Sequence, residues 1–311
     1  MDVIEVRDLV KSYDGSRVVD GLSLTVEDGE IYGIVGPNGA GKTTTVESIV
    51  GLRTPDSGQI AVLGLDPMAD HYQIAEQVGM QLQESRFQDK IRVGEAIEMY
   101  ASLYRAPRDR REVLGLMGLT DTVDKRYKDL SGGQKQRLSV AVALIGGPRI
   151  AILDELTTGL DPQARRDTWE IVEAIRDDGV TVVLVTHFME EAERLCDRIM
   201  VIDRGRAVAL DTPAGLVERV GGHQTLRFRP SESIADIGLD QLAEVDTVAV
   251  HGGTVVVNGH GNVVHAVTAL LAQRRIIAHE LRIDQVTLED AYLEITAPPT
   301  NSTVPTERKA S

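Results

Sequence analysis

The stretch Gly36-Pro37-Asn38-Gly39-Ala40-Gly41-Lys42-Thr43-Thr44 fits the spacing G-x-x-x-x-G-K-[ST]. Glycines so placed let the backbone curl until successive N–H groups point inward, at the oxygens of a bound phosphate. A helix starting there adds its positive end. Lys42 can reach β- and γ-phosphates, and Thr43 can offer its hydroxyl to Mg²⁺. A second stretch, Ile150-Ala151-Ile152-Leu153-Asp154-Glu155, ends an apolar run with two acids. For phosphate cleavage, Asp154 would hold the metal through water. Glu155 would orient and deprotonate the attacking water. A third stretch, Leu130-Ser131-Gly132-Gly133-Gln134, offers a further anion-binding helix start, since two glycines follow a serine. Read singly, the acids are a solvated strand end and the serine turn a capped helix. Tyr13, Gln83 and His187 are anonymous singly: a tyrosine serves a core as readily as it stacks on a purine, and a histidine at a strand end is more often structural.

The elements that must position these groups are legible in the apolar pattern. Ile31 to Val35, Ile150 to Leu153, Val180 to Val185 and Ile199 to Ile202 are apolar on both faces, as strands of a doubly covered sheet are. Between them lie helical patterns: Thr43 to Val50 closed by Gly51, about Lys135 to Ile145, and Gln163 to Asp177 closed near Gly179. This alternation predicts an α/β fold with a parallel core sheet, whose ligands bind at the C-terminal strand ends. Ile4 to Leu9 and Leu22 to Val26 alternate instead, as half-solvated antiparallel strands do.

After Gly221-Gly222 the pattern changes. Leu226 to Arg229, Thr247 to Val250 and Thr254 to Val257 read as strands. The last two form a hairpin across Gly252-Gly253. A helix from Val263 to Arg274 and a strand from Ile276 to Arg282 complete a small α+β domain. The expected division is 1–221, 222–296 and a disordered, Pro/Thr/Ser-rich tail at 297–311.

Composition narrows the class. Lys plus Arg number 33 and Asp plus Glu 48, a net charge of −15, which argues against nucleic acid as a partner. No apolar run approaches the roughly 18 residues of a membrane span, and the N-terminus has no secretory signal pattern. The single cysteine, Cys196, forms no internal disulfide, which fits a reducing compartment.

With these pieces in this order, residues from about Val3 to Thr212 resemble the ATP-binding subunits of ABC transporters. The resemblance implies a P-loop NTPase core: a mostly parallel sheet with an antiparallel β subdomain and a helical signature subdomain, plus the small C-terminal domain. It makes Gly36 to Thr44 the Walker A loop, Ile150 to Glu155 Walker B, Leu130 to Gln134 the signature and Thr158-Gly159-Leu160-Asp161 the D-loop. It promotes Tyr13 to the adenine-stacking aromatic, Gln83 to the Q-loop glutamine near Mg²⁺, and His187 to the switch histidine at the γ-phosphate. Gln134, Ser131, Gly132 and Gly133 join the nucleotide-binding set. ATP and Mg²⁺ are the implied cofactors.

The family clamps each ATP between Walker A of one subunit and the signature of another, so a homodimer or a pair of ABC subunits is implied. A separate integral-membrane permease would supply the spans, and the chain would sit at the cytoplasmic face of the cell membrane. Val286 to Thr296 resembles the closing segment of daunorubicin-resistance-type exporters. That points to export of drugs or other hydrophobic compounds. Lipid or polyketide export and a soluble, non-transport ABC ATPase are the alternatives. One departure from the family pattern is Leu156 where proline is usual, followed by Thr157-Thr158. It leaves the acids untouched and implies retained hydrolysis.

Overall fold

The structure, a computed structural model, describes residues 1–81, 87–220, 224–232, 234 and 237–297. It falls into two compact units, Met1–Pro213 and the residues from Ala214 on. The expected domain boundary at 221/222 and the expected tail beyond residue 297 lie outside the described residues.

In the first unit the chain runs β1 (Asp2–Tyr13), β2 (Ser16–Glu27), β3 (Ile31–Val35), α1 (Lys42–Ile49), β4 (Ser57–Val62), α2 (His71–Ala75) and β5 (Val78–Gln81). It continues through α3 (Val93–Ala101), α4 (Arg110–Leu116) and α5 (Gly132–Leu144) to β6 (Ile150–Asp154). Then follow α6 (Pro162–Asp177), β7 (Thr181–Thr186), α7 (Met189–Leu195), β8 (Arg198–Asp203), β9 (Arg206–Asp211) and α8 (Pro213–Arg219), the last crossing into the second unit.

Six strands form one sheet in the order β5-β6-β7-β3-β8-β9, parallel except for β9. Every residue of β3, β6 and β7 is buried, as their unbroken apolar runs require. Strands β1, β2 and β4 form a separate antiparallel sheet, order β2-β1-β4. Their alternating side chains Ile4, Val6, Leu22, Leu24 and Val26 turn inward. There they share one core with Ile34, Ile152, Val183 and Ile202 of the parallel sheet and with Val46 and Ile49 of α1. Helix α1 is thus packed into that shared core.

The second unit holds β10 (Gln224–Pro230), β11 (Val245–His251), β12 (Thr254–Gly259), α9 (Val263–Gln273), β13 (Ala278–Gln285) and α10 (Leu288–Thr296). Its antiparallel sheet runs β11-β12-β10-β13. Val263, Val267 and Leu271 of α9, one helical stripe, join Leu226, Phe228, Val255 and Val257 in a core of its own.

Two elements depart from expectation: strand β13 runs Ala278–Gln285 instead of the expected Ile276 to Arg282, and a helix starts early. Helix α5 begins at Gly132, three residues before the expected Lys135. Ser131 caps it: its Oγ accepts from Gln134 N at 3.2 Å, while Gln134 Oε1 accepts from Ser131 N at 3.1 Å. This reciprocal box offsets the helix cost of the two glycines, which therefore lie inside the first turn.

Candidate nucleotide and hydrolysis site

Strand β3 ends at Val35 and α1 starts at Lys42, so the glycine loop spans the gap between them. Two of its glycines admit no side chain. A Cβ on Gly36 would come 2.2 Å from the Ile202 carbonyl oxygen, and one on Gly41, at φ 103°, 2.5 Å from that of Val18. The loop is tied down from outside: Gly205 N donates to Ala40 O at 3.0 Å, and Asp20 N donates to Gly205 O at 2.9 Å. Lys42 is 5 % exposed, and its Nζ donates to the carbonyls of Gly36 (2.8 Å) and Pro37 (3.1 Å). Burial pushes its ammonium pKa down, against the attraction of Glu155 and Asp154. Phosphate oxygens are better acceptors for such a cation than neutral carbonyls are.

Across from the loop, β6 and β7 run side by side, with Asp154 opposite Val185. This register brings the acids at the end of one strand beside His187 at the end of the other. Asp154 is 1 % exposed. Its Oδ2 accepts from Thr43 Oγ at 3.2 Å, and its buried Oδ1 has no partner among the described residues. Burial raises its carboxyl to about 6, while the Thr43 hydroxyl works in the other direction. An orphaned carboxylate oxygen next to a threonine hydroxyl is the donor set a hydrated, oxygen-seeking divalent cation takes.

Glu155 sits at φ 49°, in the left-handed region that costs an ordinary residue roughly 1 kcal/mol. Its backbone is held there: its N–H donates to Val185 O at 2.8 Å, and its carbonyl accepts from Thr158 N at 3.2 Å. Its side chain is held too. Nδ1 of His187 lies 3.3 Å from Oε1, and Thr158 Oγ donates to Oε2 at 3.4 Å. A carboxylate only accepts, so this contact places the proton on Nδ1 and leaves Nε2 facing away from it.

The serine turn stands elsewhere. With Gly132, Gly133, Gly159 and Asp161, Ser131 lines a hollow of about 360 Å³ that includes no residue of the glycine loop. The structure therefore unites Lys42, Thr43, Asp154, Glu155 and His187, and sets Ser131, Gly132 and Gly133 beside the D-loop instead, with Gln134 bonded to Ser131. Tyr13 closes β1, half-buried, with the Arg53 guanidinium over its ring. Gln83 lies outside the described residues.

The family pattern described as ABC transporter matches residues 19–158. The chain is 42 % identical over 231 residues to a Nod factor export ATP-binding protein I of Rhizobium meliloti, covering 72 % of this chain and 69 % of that one. Over 304 residues it is 34 % identical to the daunorubicin resistance ATP-binding protein DrrA2 of Streptomyces coeruleorubidus, and 94 % of each chain is covered. This chain belongs to the ATP-binding subunits of ABC transporters. A solved dimeric structure of a bacterial ABC transporter cassette superposes with a TM-score of 0.60 at 25 % identity, covering 67 % of this chain and 98 % of that one.

As an ABC ATPase the chain binds nucleotide. Among the described residues no helix is long and apolar enough to cross a membrane. Thr158, noted in the sequence within the D-loop and in the departure after Leu156, proves to bond Glu155. Two further neighbours were not singled out by sequence reasoning. Glu191, fully buried on α7, lies beside Thr186, Thr157 and Trp169, and burial holds its carboxyl above the usual range. It lies in the first turn of α7, four residues after His187, which precedes the helix. Arg53 follows a turn, and nothing in its local sequence marks it.

Proposed function

We propose that this subunit drives export of drugs or related hydrophobic compounds through a separate integral-membrane permease, working as a homodimer at the cytoplasmic face of the membrane. The drug-resistance and export relatives support this direction of transport, and the match to the drug-resistance relative runs through the C-terminal unit.

The single observation that carries the catalytic part is the convergence of the Thr43–Asp154 and Glu155–His187 pairs at neighbouring strand ends. Lys42 exchanges the loop carbonyls for β- and γ-phosphate oxygens. Thr43 and Asp154, with Gln83, would hold Mg²⁺, which when bound neutralises charge on the phosphate chain. Glu155 takes the proton of the attacking water, and His187 fixes that carboxylate while reaching the γ-phosphate. Tyr13 stacks on the adenine. Ser131 and Gly133 act on the nucleotide of a second copy, because none of the chain's own loop residues lines their hollow. Loss of the γ-phosphate then releases the second copy, a shift driven by unequal affinity for ATP and ADP.

The test is purification from detergent-solubilised membranes. A multispan partner should accompany the chain, and hydrophobic drugs should stimulate ATP hydrolysis by that complex. A chain that leaves the membrane alone, and whose hydrolysis ignores such compounds, contradicts the transport reading.

A further inference from the structure

The segment that follows α1 grips the end of β1 at Tyr13. Gly51, at φ 77°, turns the chain, and Leu52 N and Arg53 N both donate back to Glu47 O, at 2.9 and 3.1 Å. Arg53 Nε then donates to Glu47 Oε2 at 2.6 Å, so its guanidinium is anchored to the body of α1. From that anchor it lies over the Tyr13 ring, 5.4 Å from the centroid. Three residues on, Asp56 fixes the same strand end. Its Oδ2 accepts from Ser12 N at 2.6 Å, its Oδ1 from Lys11 Nζ at 2.9 Å, and its own N–H donates to Val10 O at 2.8 Å. The Lys11 ammonium stands 5.6 Å from the Tyr13 centroid.

These contacts form one continuous path. Helix α1 carries Lys42 and Thr43 at its first turn and Glu47 further along. Glu47 holds Arg53, and Arg53 holds the ring. The groups for the phosphates and the ring for the base are therefore referenced to the same helix. A planar cation packed over a phenol ring restricts the ring's χ rotation.

The geometry points to Arg53 as a positioning residue for nucleotide binding, clamping Tyr13 at a fixed distance from the phosphate loop so that the ring is ready to receive a purine. This rests on the reading of Tyr13 as the base platform. Among the described residues, the contacts of the Arg53 side chain are with Glu47 and Tyr13, not with the glycine loop or the acids at the end of β6. Its effect should therefore appear only with ligands that carry a base, and only while Tyr13 is present.

The test is equilibrium binding to the full chain of two ligands in the presence of Mg²⁺. ADP carries the base, and inorganic pyrophosphate does not. Arg53→Ala should weaken ADP by about two- to five-fold, the range of one exposed cation–ring contact. Pyrophosphate affinity should stay as in the wild type, which also reports an intact fold. In a Tyr13→Ala background, Arg53→Ala should have no further effect on ADP. The inference is overturned if Arg53→Ala leaves ADP unchanged, tightens it, weakens both ligands equally, or costs the same factor without Tyr13. Failure of the underlying reading looks different. Tyr13→Ala alone should weaken ADP roughly five-fold or more relative to pyrophosphate. If it does not, Tyr13 is no base platform, whatever Arg53 does.

Discussion

Nδ1 of His187 lies 3.3 Å from Oε1 of Glu155, with the two residues at the ends of adjacent parallel strands. The contact joins the proposed base to the residue proposed to sense the γ-phosphate. It also orders the ring, because an acceptor-only carboxylate selects one tautomer.

Glu155→Gln keeps the shape and loses the basicity. Steady-state ATP hydrolysis should fall by about 10²–10⁴-fold while ATP affinity is retained. Phosphate release assays and equilibrium binding check the two halves. Wild-type turnover would remove Glu155 from the base role.

His187→Ala frees one oxygen of Glu155 and removes the ring. We expect kcat to fall by about 10²-fold with little change in ATP affinity. A loss confined to affinity would make His187 a binding group only.

Gly41→Ala tests the loop. The added methyl meets the Val18 carbonyl at 2.5 Å on a backbone at φ 103°. The folded state should lose at least about 2 kcal/mol, seen in denaturant titration, and nucleotide binding should weaken with it.

Asp154 makes stability depend on pH. Its carboxyl sits at about 6 in the folded chain against an ordinary 3.8, chiefly through burial. Between these values the folded state binds more protons than the unfolded state, so this group's contribution falls as pH rises through the window. Asp154→Asn, never charged, should therefore be more stable than the wild type above pH 6 by roughly 1–3 kcal/mol in EDTA without nucleotide. The advantage should fade as pH approaches about 4. Thermal melts at several pH values check it. A variant less stable than wild type at pH 7.5 would contradict the cost assigned to the buried charge.

Much of this was readable from residue order. The doubly apolar runs at Ile31 and Ile150 became fully buried parallel strands because nothing but a covered sheet accommodates them. The alternation at Ile4 and Leu22 became an antiparallel pair whose inward side chains close the core over α1. The misplaced start of α5 has a local cause: the pair Ser131 and Gln134 is a capping box, and it outweighs the glycines between. What stayed illegible was tertiary. The left-handed backbone of Glu155 is set by a bond to β7, and the hold of Arg53 on Tyr13 crosses from a turn to a strand end 40 residues earlier. No local pattern encodes either.

The central claim is that nucleotide is bound between the glycine loop of one chain and the Ser131 turn of another. Light scattering of Glu155→Gln with and without MgATP tests it most directly. The account predicts a nucleotide-dependent dimer that reverts to monomer when Ser131→Arg is added, although ATP still binds. A hydrolysis-dead chain that stays monomeric with saturating MgATP, alone and with its membrane partner, or a dimer indifferent to Ser131→Arg, would contradict it.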